Sequence, residues 1–190
     1  MMTSKPPMLA SFVAVLALTT VSVASAQSVG EPGRGSGKPN PLKNVYFGEQ
    51  HLHTSASPDA FAVGTRGTWE DAYRWARGEE VKLSTTGQPM KKSTPYDFVG
   101  ITDHAEYFGV MPRMLDPKDP LSKSEFAKKL ADPKGSATDP KSAISVILRS
   151  LITSDPMPEY VKPELLEDNW ARYVKVANEH NRPGTFTTLV

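Results

Sequence analysis

The sequence predicts an α/β fold built on a parallel sheet, and three observations carry that reading. Short β-prone apolar runs occur near residues 44–52, 97–102 and 185–190. Segments with helical periodicity and capping signals lie between them, and parallel strands need such crossovers. The first two runs both end in polar, histidine-bearing residues, His51-Leu52-His53 and Asp103-His104. In parallel α/β folds that C-terminal strand edge is where sites assemble.

Taken in order, residues 1–26 have the layout of a secretory signal. Lys5 precedes an apolar run from Leu9 to Val23, and Ala24-Ser25-Ala26 matches a small-x-small cleavage pattern. The run is short for a membrane span, although a thin positive region keeps an uncleaved anchor as the alternative. Cleavage after Ala26 makes the expected product periplasmic or secreted, with no membrane segment remaining. Residues 27–43 are rich in Gly, Pro and Ser and read as a flexible leader. The folded domain is expected over 44–190.

The first strand covers roughly 44–52, followed by a Ser-Pro-Asp turn. Thr68-Trp-Glu-Asp71 opens a helix with a capping-box pattern. Trp69, Ala72, Tyr73 and Ala76 share one face, and Gly78 stops the helix. Residues 82–95 are expected as a loop or short hairpin, and 97–102 as a buried strand. The proline-rich stretch 111–120 reads as a loop. Ser122-Lys-Ser-Glu125 starts a short helix, and Asp139-Pro140 caps another that reaches about Ile152. The longest helix runs from about Pro163 to His180, with Leu166, Trp170, Tyr173, Val174 and Ala177 as its apolar face. Asn181–Gly184 ends it, and a third strand follows.

With 22 Lys+Arg against 21 Asp+Glu the net charge is +1. No basic tract points to nucleic acid and no acidic tail to a basic partner. The absence of cysteine excludes disulfides, thiolate metal sites and an N-terminal lipid-cysteine anchor.

Two of the four histidines stand one residue apart, at His51 and His53. On a strand, i and i+2 share a face, so their imidazoles project side by side. Asp59 and His104 complete a candidate set of nitrogen and carboxylate ligands, which suits borderline divalent ions. Asp103 either binds metal directly or orients a histidine through its other ring nitrogen. Asp59 has an alternative role in capping its turn. Arg66, in Gly64-Thr-Arg-Gly67, is either an oxyanion-binding group or an ordinary surface arginine. His180 reads as a helix C-terminal residue favoured by the dipole.

HLHTSASPD followed by ITDHAE resembles the PHP (polymerase and histidinol phosphatase) superfamily. More narrowly, residues 44–110, and more loosely 160–190, resemble an exported bacterial family of unknown function related to it. The resemblance implies metal-dependent phosphoesterases on a distorted (β/α)7 barrel. It implies that His51 and His53 are metal-binding histidines, and that Asp59 and His104 commonly serve a third metal. Asp103 matches the aspartate of the Thr-Asp-His motif. Glu49-Gln50 departs from the narrower family, which more often has Asp at the first position, yet the carboxylate is kept.

A PHP site also takes a bridging glutamate, further histidines and a late Asp-x-His. Phe186–Val190 resembles the strand that would lead to the glutamate. The expectation is therefore the N-terminal part, about three strands, of such a barrel.

The implied activity, expected to be complete only in a longer chain, is hydrolysis of a small-molecule phosphate or other oxyanion ester, such as a sulfate, by metal-activated water. The implied cofactors are divalent ions, whether Zn, Mn, Fe or Mg. Two alternatives stand beside it. An inactive fragment or weak metal-binding module would have an incomplete ligand set. An amidohydrolase-type barrel also begins with His-x-His, although Thr-Asp-His favours PHP. No residue stands out as the general acid.

Overall fold

The computed structural model describes residues 44–83, 85–132 and 139–190. The expected export signal and leader fall on residues outside these.

Three strands, β1 (Gly48–Leu52), β4 (Phe98–Ile101) and β5 (Thr187–Leu189), form a parallel sheet in the order β1-β4-β5. Two further short strands, β2 (Val81–Lys82) and β3 (Pro89–Met90), pair as an antiparallel hairpin, where the sequence allows a loop or hairpin. The first strand is shorter than its pattern predicts. Val45, Tyr46 and Phe47 are exposed, so apolar character at the start of that run does not extend the ladder.

The β1–β4 register slips between Glu49 and Leu52. One additional β1 residue is accommodated there, as in a β-bulge, and such irregularities leave backbone N–H groups unpaired. Here the Glu49 carboxylate accepts from the backbone N–H groups of Gln50 and His51, both at 2.9 Å. Below the bulge, β1 and β4 touch closely. A Cβ at Gly48 would lie 2.4 Å from the Phe98 carbonyl oxygen.

Val99 and Ile101 alternate onto one sheet face, where α2 (Trp69–Ala76) and α6 (Pro163–His180) cover them. Tyr73, Ala76, Tyr173, Val176, Ala177 and Phe186 complete that core. Thr68 caps α2 with the reciprocal capping box that its sequence predicts, and Gly78 follows at φ +78°. In α6 the bounds are those expected, but the buried face is turned. Asn169 is buried and Trp170 is half exposed. The reason is polar: Asn169 donates to the Phe108 carbonyl at 2.6 Å and accepts from Arg113 at 2.8 Å.

A second core is built from the helix after β1 together with the long connection between β4 and α6. It joins α1 (Pro58–Ala62), α3 (Val110–Leu115), α4 (Glu125–Leu130) and α5 (Ala143–Thr153) through Phe61, Tyr107, Met111, Ala127 and Ile147. Two of these helices replace expected irregular segments. Pro58 opens α1, where the missing N–H costs nothing. Pro112 sits in the first turn of α3, so the expected loop is half helix.

The predicted helix starts also move. Ser124 rather than Ser122 caps α4, because a 3₁₀ turn over Pro120–Lys123 intervenes. Ser142 rather than Asp139 caps α5, and Asp139 instead accepts from the backbone N–H of Lys141. Among the described residues no helix is long and apolar enough to cross a membrane.

Candidate metal centre

The C-terminal ends of β1 and β4 are neighbours, since Thr102 N–H donates to the Leu52 carbonyl at 2.9 Å. His51 lies in the last turn of the β1 ladder, His53 just beyond it, and Asp103-His104 just beyond β4. The connecting residues Thr54–Pro58 are all buried. Their burial is possible because their polar groups are paired. Ser55 N–H reaches the Gly67 carbonyl, Ala56 N–H reaches Thr54 Oγ1, and Gly109 N–H reaches the Ala56 carbonyl. The loop is thus a fixed platform.

On that platform His53, Asp59 and His104 bring one ligand atom each within 4.8 Å of one another. Asp59 divides its two oxygens. Oδ1 accepts from Ser57 Oγ and from the Ala60 backbone N–H, both at 2.6 Å. Oδ2 faces the imidazoles, 3.0 Å from His53 Nδ1 and 3.5 Å from His104 Nε2. Partial burial pushes the Asp59 carboxyl upward, but the bonds from Ser57, Ala60 and His53 outweigh it and hold the group at about 2. It is a carboxylate at any neutral pH.

The His53 ring lies between the others, 5.0 Å from His51 and 5.0 Å from His104. His51 is exposed and His53 half-buried; their rings are neighbours as expected, although a bulge interrupts the strand alternation and His53 lies beyond β1. The His104 side chain is 51 % exposed and that of Asp59 46 %, which leaves the cluster open to solvent on one side.

Asp103 is directed elsewhere. Its carboxylate accepts from the Thr54 backbone N–H, from Thr54 Oγ1 at 2.7 Å and from Trp69 Nε1 at 2.9 Å. It ties the post-β1 loop and the first residue of α2 to the end of β4. Arg66 lays its guanidinium over the Phe61 ring at 3.7 Å and donates to the Phe61 and Thr65 carbonyls. Those bonds direct it at its own loop.

Two contributors, Ser57 and Glu106, are not among the residues the sequence singles out, and Glu49 takes a role its sequence does not announce. Ser57 is fully buried, donates to Asp59 and accepts the His104 backbone N–H at 3.1 Å. Glu49 closes the bulge beside His51. Glu106 Oε2 lies 3.7 Å from His104 Nδ1, an ion-pair separation longer than a hydrogen bond. Glu106 belongs to the Thr-Asp-His-Ala-Glu stretch that already holds two candidate residues, whereas nothing in Ser-Ala-Ser-Pro singles out one serine.

His180, at the end of α6, stacks on Tyr73 at 5.5 Å. Burial, aided by Arg77, pushes its pKa down, which favours the neutral ring over the cation that a dipole interaction prefers.

Two imidazoles and one carboxylate, with a third imidazole adjoining, form a donor set that fits Zn, Mn or Fe. Solvent access leaves room for further ligands. A family model described as Protein of unknown function (DUF3604) matches residues 40–190. No curated protein and no solved structure matches the chain.

Proposed function

The chain belongs to the DUF3604 family, whose description assigns no activity, and from the chemistry of the site we propose a metal-dependent hydrolase of the PHP phosphoesterase type. The observation that carries this reading is the convergence of His53, Asp59 and His104 within 4.8 Å, with the His51 ring 5.0 Å from that of His53. The small parallel sheet, with its strands in sequential order, is compatible with the start of a PHP-like barrel, and that finer fold is part of the proposal. So is export of the protein to the periplasm or medium.

In this reading His53, Asp59 and His104 hold a divalent ion, and His51 adjoins it as a ligand to the same or a second ion. Held by these residues, a divalent ion would supply Lewis acidity toward the ester oxyanion and would acidify water near it. Asp59 contributes a permanent negative charge, because Ser57 and the Ala60 N–H hold it ionised. Glu106 adds a carboxylate on the Nδ1 side of His104, at 3.7 Å. Asp103 acts at one remove, as the tie that keeps the ligand loop on the strand ends. Arg66 is not needed by the reading. The substrate is a small-molecule phosphate or similar oxyanion ester, with no nucleic acid implied. Turnover requires a complete ligand shell around these residues.

The test is hydrolysis of bis(p-nitrophenyl) phosphate by protein reconstituted with Zn, Mn, Fe or Mg. The reading expects metal-dependent turnover that His53→Ala abolishes. Turnover that persists in His53→Ala contradicts it, as does the absence of turnover with every ion in protein that carries the complete ligand shell.

A further inference from the structure

The centre does not stand alone at the strand ends. A cleft of about 300 Å3 begins at Leu52, His53 and Thr54 and runs beneath the β2–β3 hairpin, between that hairpin, α2 and residues 63–68. His53 belongs to both the cleft and the ligand cluster. Ligand sites of this size range accept a small organic group, since pockets run from about 300 to 1,000 Å3.

Most of the lining surface is apolar, with Leu52, Ala72, Trp75, Leu83 and Met90 among its residues. Its one carboxylate, Asp71, is committed. Oδ2 accepts from the Thr68 N–H and hydroxyl at 3.1 Å each, and Oδ1 lies 3.8 Å from Arg74. The remaining charged side chain on the lining is Lys82. The cleft therefore presents apolar surface and no unneutralised negative charge directly beside a candidate oxyanion-binding centre.

We propose that this cleft seats the apolar, aryl-sized group of an ester whose oxyanion is held at the His53–Asp59–His104 centre. The inference rests on the metal-centre reading and adds the substrate class: an aryl or comparably bulky apolar ester rather than a small polar one. His53 is the residue common to the cleft and the ligand cluster. A methyl ester would leave the cleft filled with water, whereas a ring would displace that water from Trp75, Leu83 and Met90. Burial of one ring contributes enough for about tenfold or more in affinity.

The experiment is calorimetric titration of the Zn-loaded chain with phenyl phosphate and with methyl phosphate, after Zn uptake has been measured separately. The expected result is that phenyl phosphate binds at least about tenfold more tightly. Leu83→Glu and Met90→Glu, both on the hairpin and away from the ligands, should each erase the preference while leaving Zn uptake unchanged, and that uptake also reports that the variants fold. Equal affinities for the two phosphates by a Zn-bearing chain overturn the cleft assignment and leave the centre standing. A preference that survives in both variants also overturns it. Failure to take up Zn overturns the centre, and the cleft's role falls with it.

Discussion

Ser57 Oγ donates to Asp59 Oδ1 at 2.6 Å, and the same oxygen accepts the backbone N–H of His104 at 3.1 Å. One buried hydroxyl thus bonds both the carboxylate supplied by the first turn of α1 and the backbone of the histidine that follows β4. Replacing it by alanine removes a donor from Asp59 and leaves a partly buried N–H without its partner. Ser57→Ala is expected to weaken metal binding by about 10- to 100-fold and to cost about 1–3 kcal/mol of stability. Competition with a chelator of known affinity measures the first, and urea unfolding of the metal-free protein the second. Undiminished metal affinity would show that the hydroxyl does not organise the centre.

Asp103 separates two roles that the sequence leaves open. As a tie between Thr54 and Trp69, it should stabilise the protein whether or not metal is present. Asp103→Ala strands the Thr54 and Trp69 donors and is expected to lower stability by about 2–4 kcal/mol. The loss should be the same size with and without metal. A loss seen only in the metal-loaded protein would mean that Asp103 is a ligand instead.

Gly48 is required by close approach rather than by its backbone angle. An added Cβ would meet the Phe98 carbonyl at 2.4 Å, and a backbone atom in a paired strand cannot move aside cheaply. Gly48→Ala should destabilise the protein by about 1–3 kcal/mol or more and disturb the β1–β4 pairing. Amide exchange across residues 48–52 and 98–101 checks this, and protection equal to wild type would contradict it.

His180 should make stability fall as the solution becomes mildly acidic. Its folded-state pKa is lowered by burial and by Arg77 and Arg182, against the weaker pull of Glu70 and Glu79. The ring is neutral in the fold and takes up a proton more readily when unfolded. Its contribution is therefore complete above the ordinary value of 6.5 and is lost as pH falls through the lower folded value. His180→Phe keeps the stack on Tyr73 and removes the titration. The difference in stability between wild type and variant should shift against wild type between about pH 7 and pH 5. A pH-independent difference would show that His180 does not titrate differently in the two states.

Much of this architecture is legible in the residues because local chemistry and tertiary packing agree. Thr68-Trp-Glu-Asp71 caps a helix on its own terms, and Pro163–His180 carries a long helical pattern with a stop after it. The parallel pairing of the strands that end in His51 and His104 follows from the helical segments between them. Where the two levels diverge, pattern reading fails. Trp170 looks like core, but Asn169 takes the interior because Arg113 and the Phe108 carbonyl offer it partners. Pro112 looks like a loop residue, yet its missing N–H is harmless in a first helical turn. At the site the ligand candidates carry their chemistry in their names, so His53, Asp59 and His104 could be nominated from spacing. The destinations of Asp103, Arg66 and Ser57 depend on which polar neighbours the fold brings near, and no spacing encodes that.

The most direct measurement is the divalent metal retained per chain after exhaustive dialysis, by mass spectrometry, in wild type and in His53→Ala, Asp59→Ala and His104→Ala. The account predicts stoichiometric retention by wild type and its loss in each variant, with all three variants still folded by circular dichroism. Wild type that retains no metal, or variants that retain as much as wild type, would contradict the central claim that these three side chains form a metal centre.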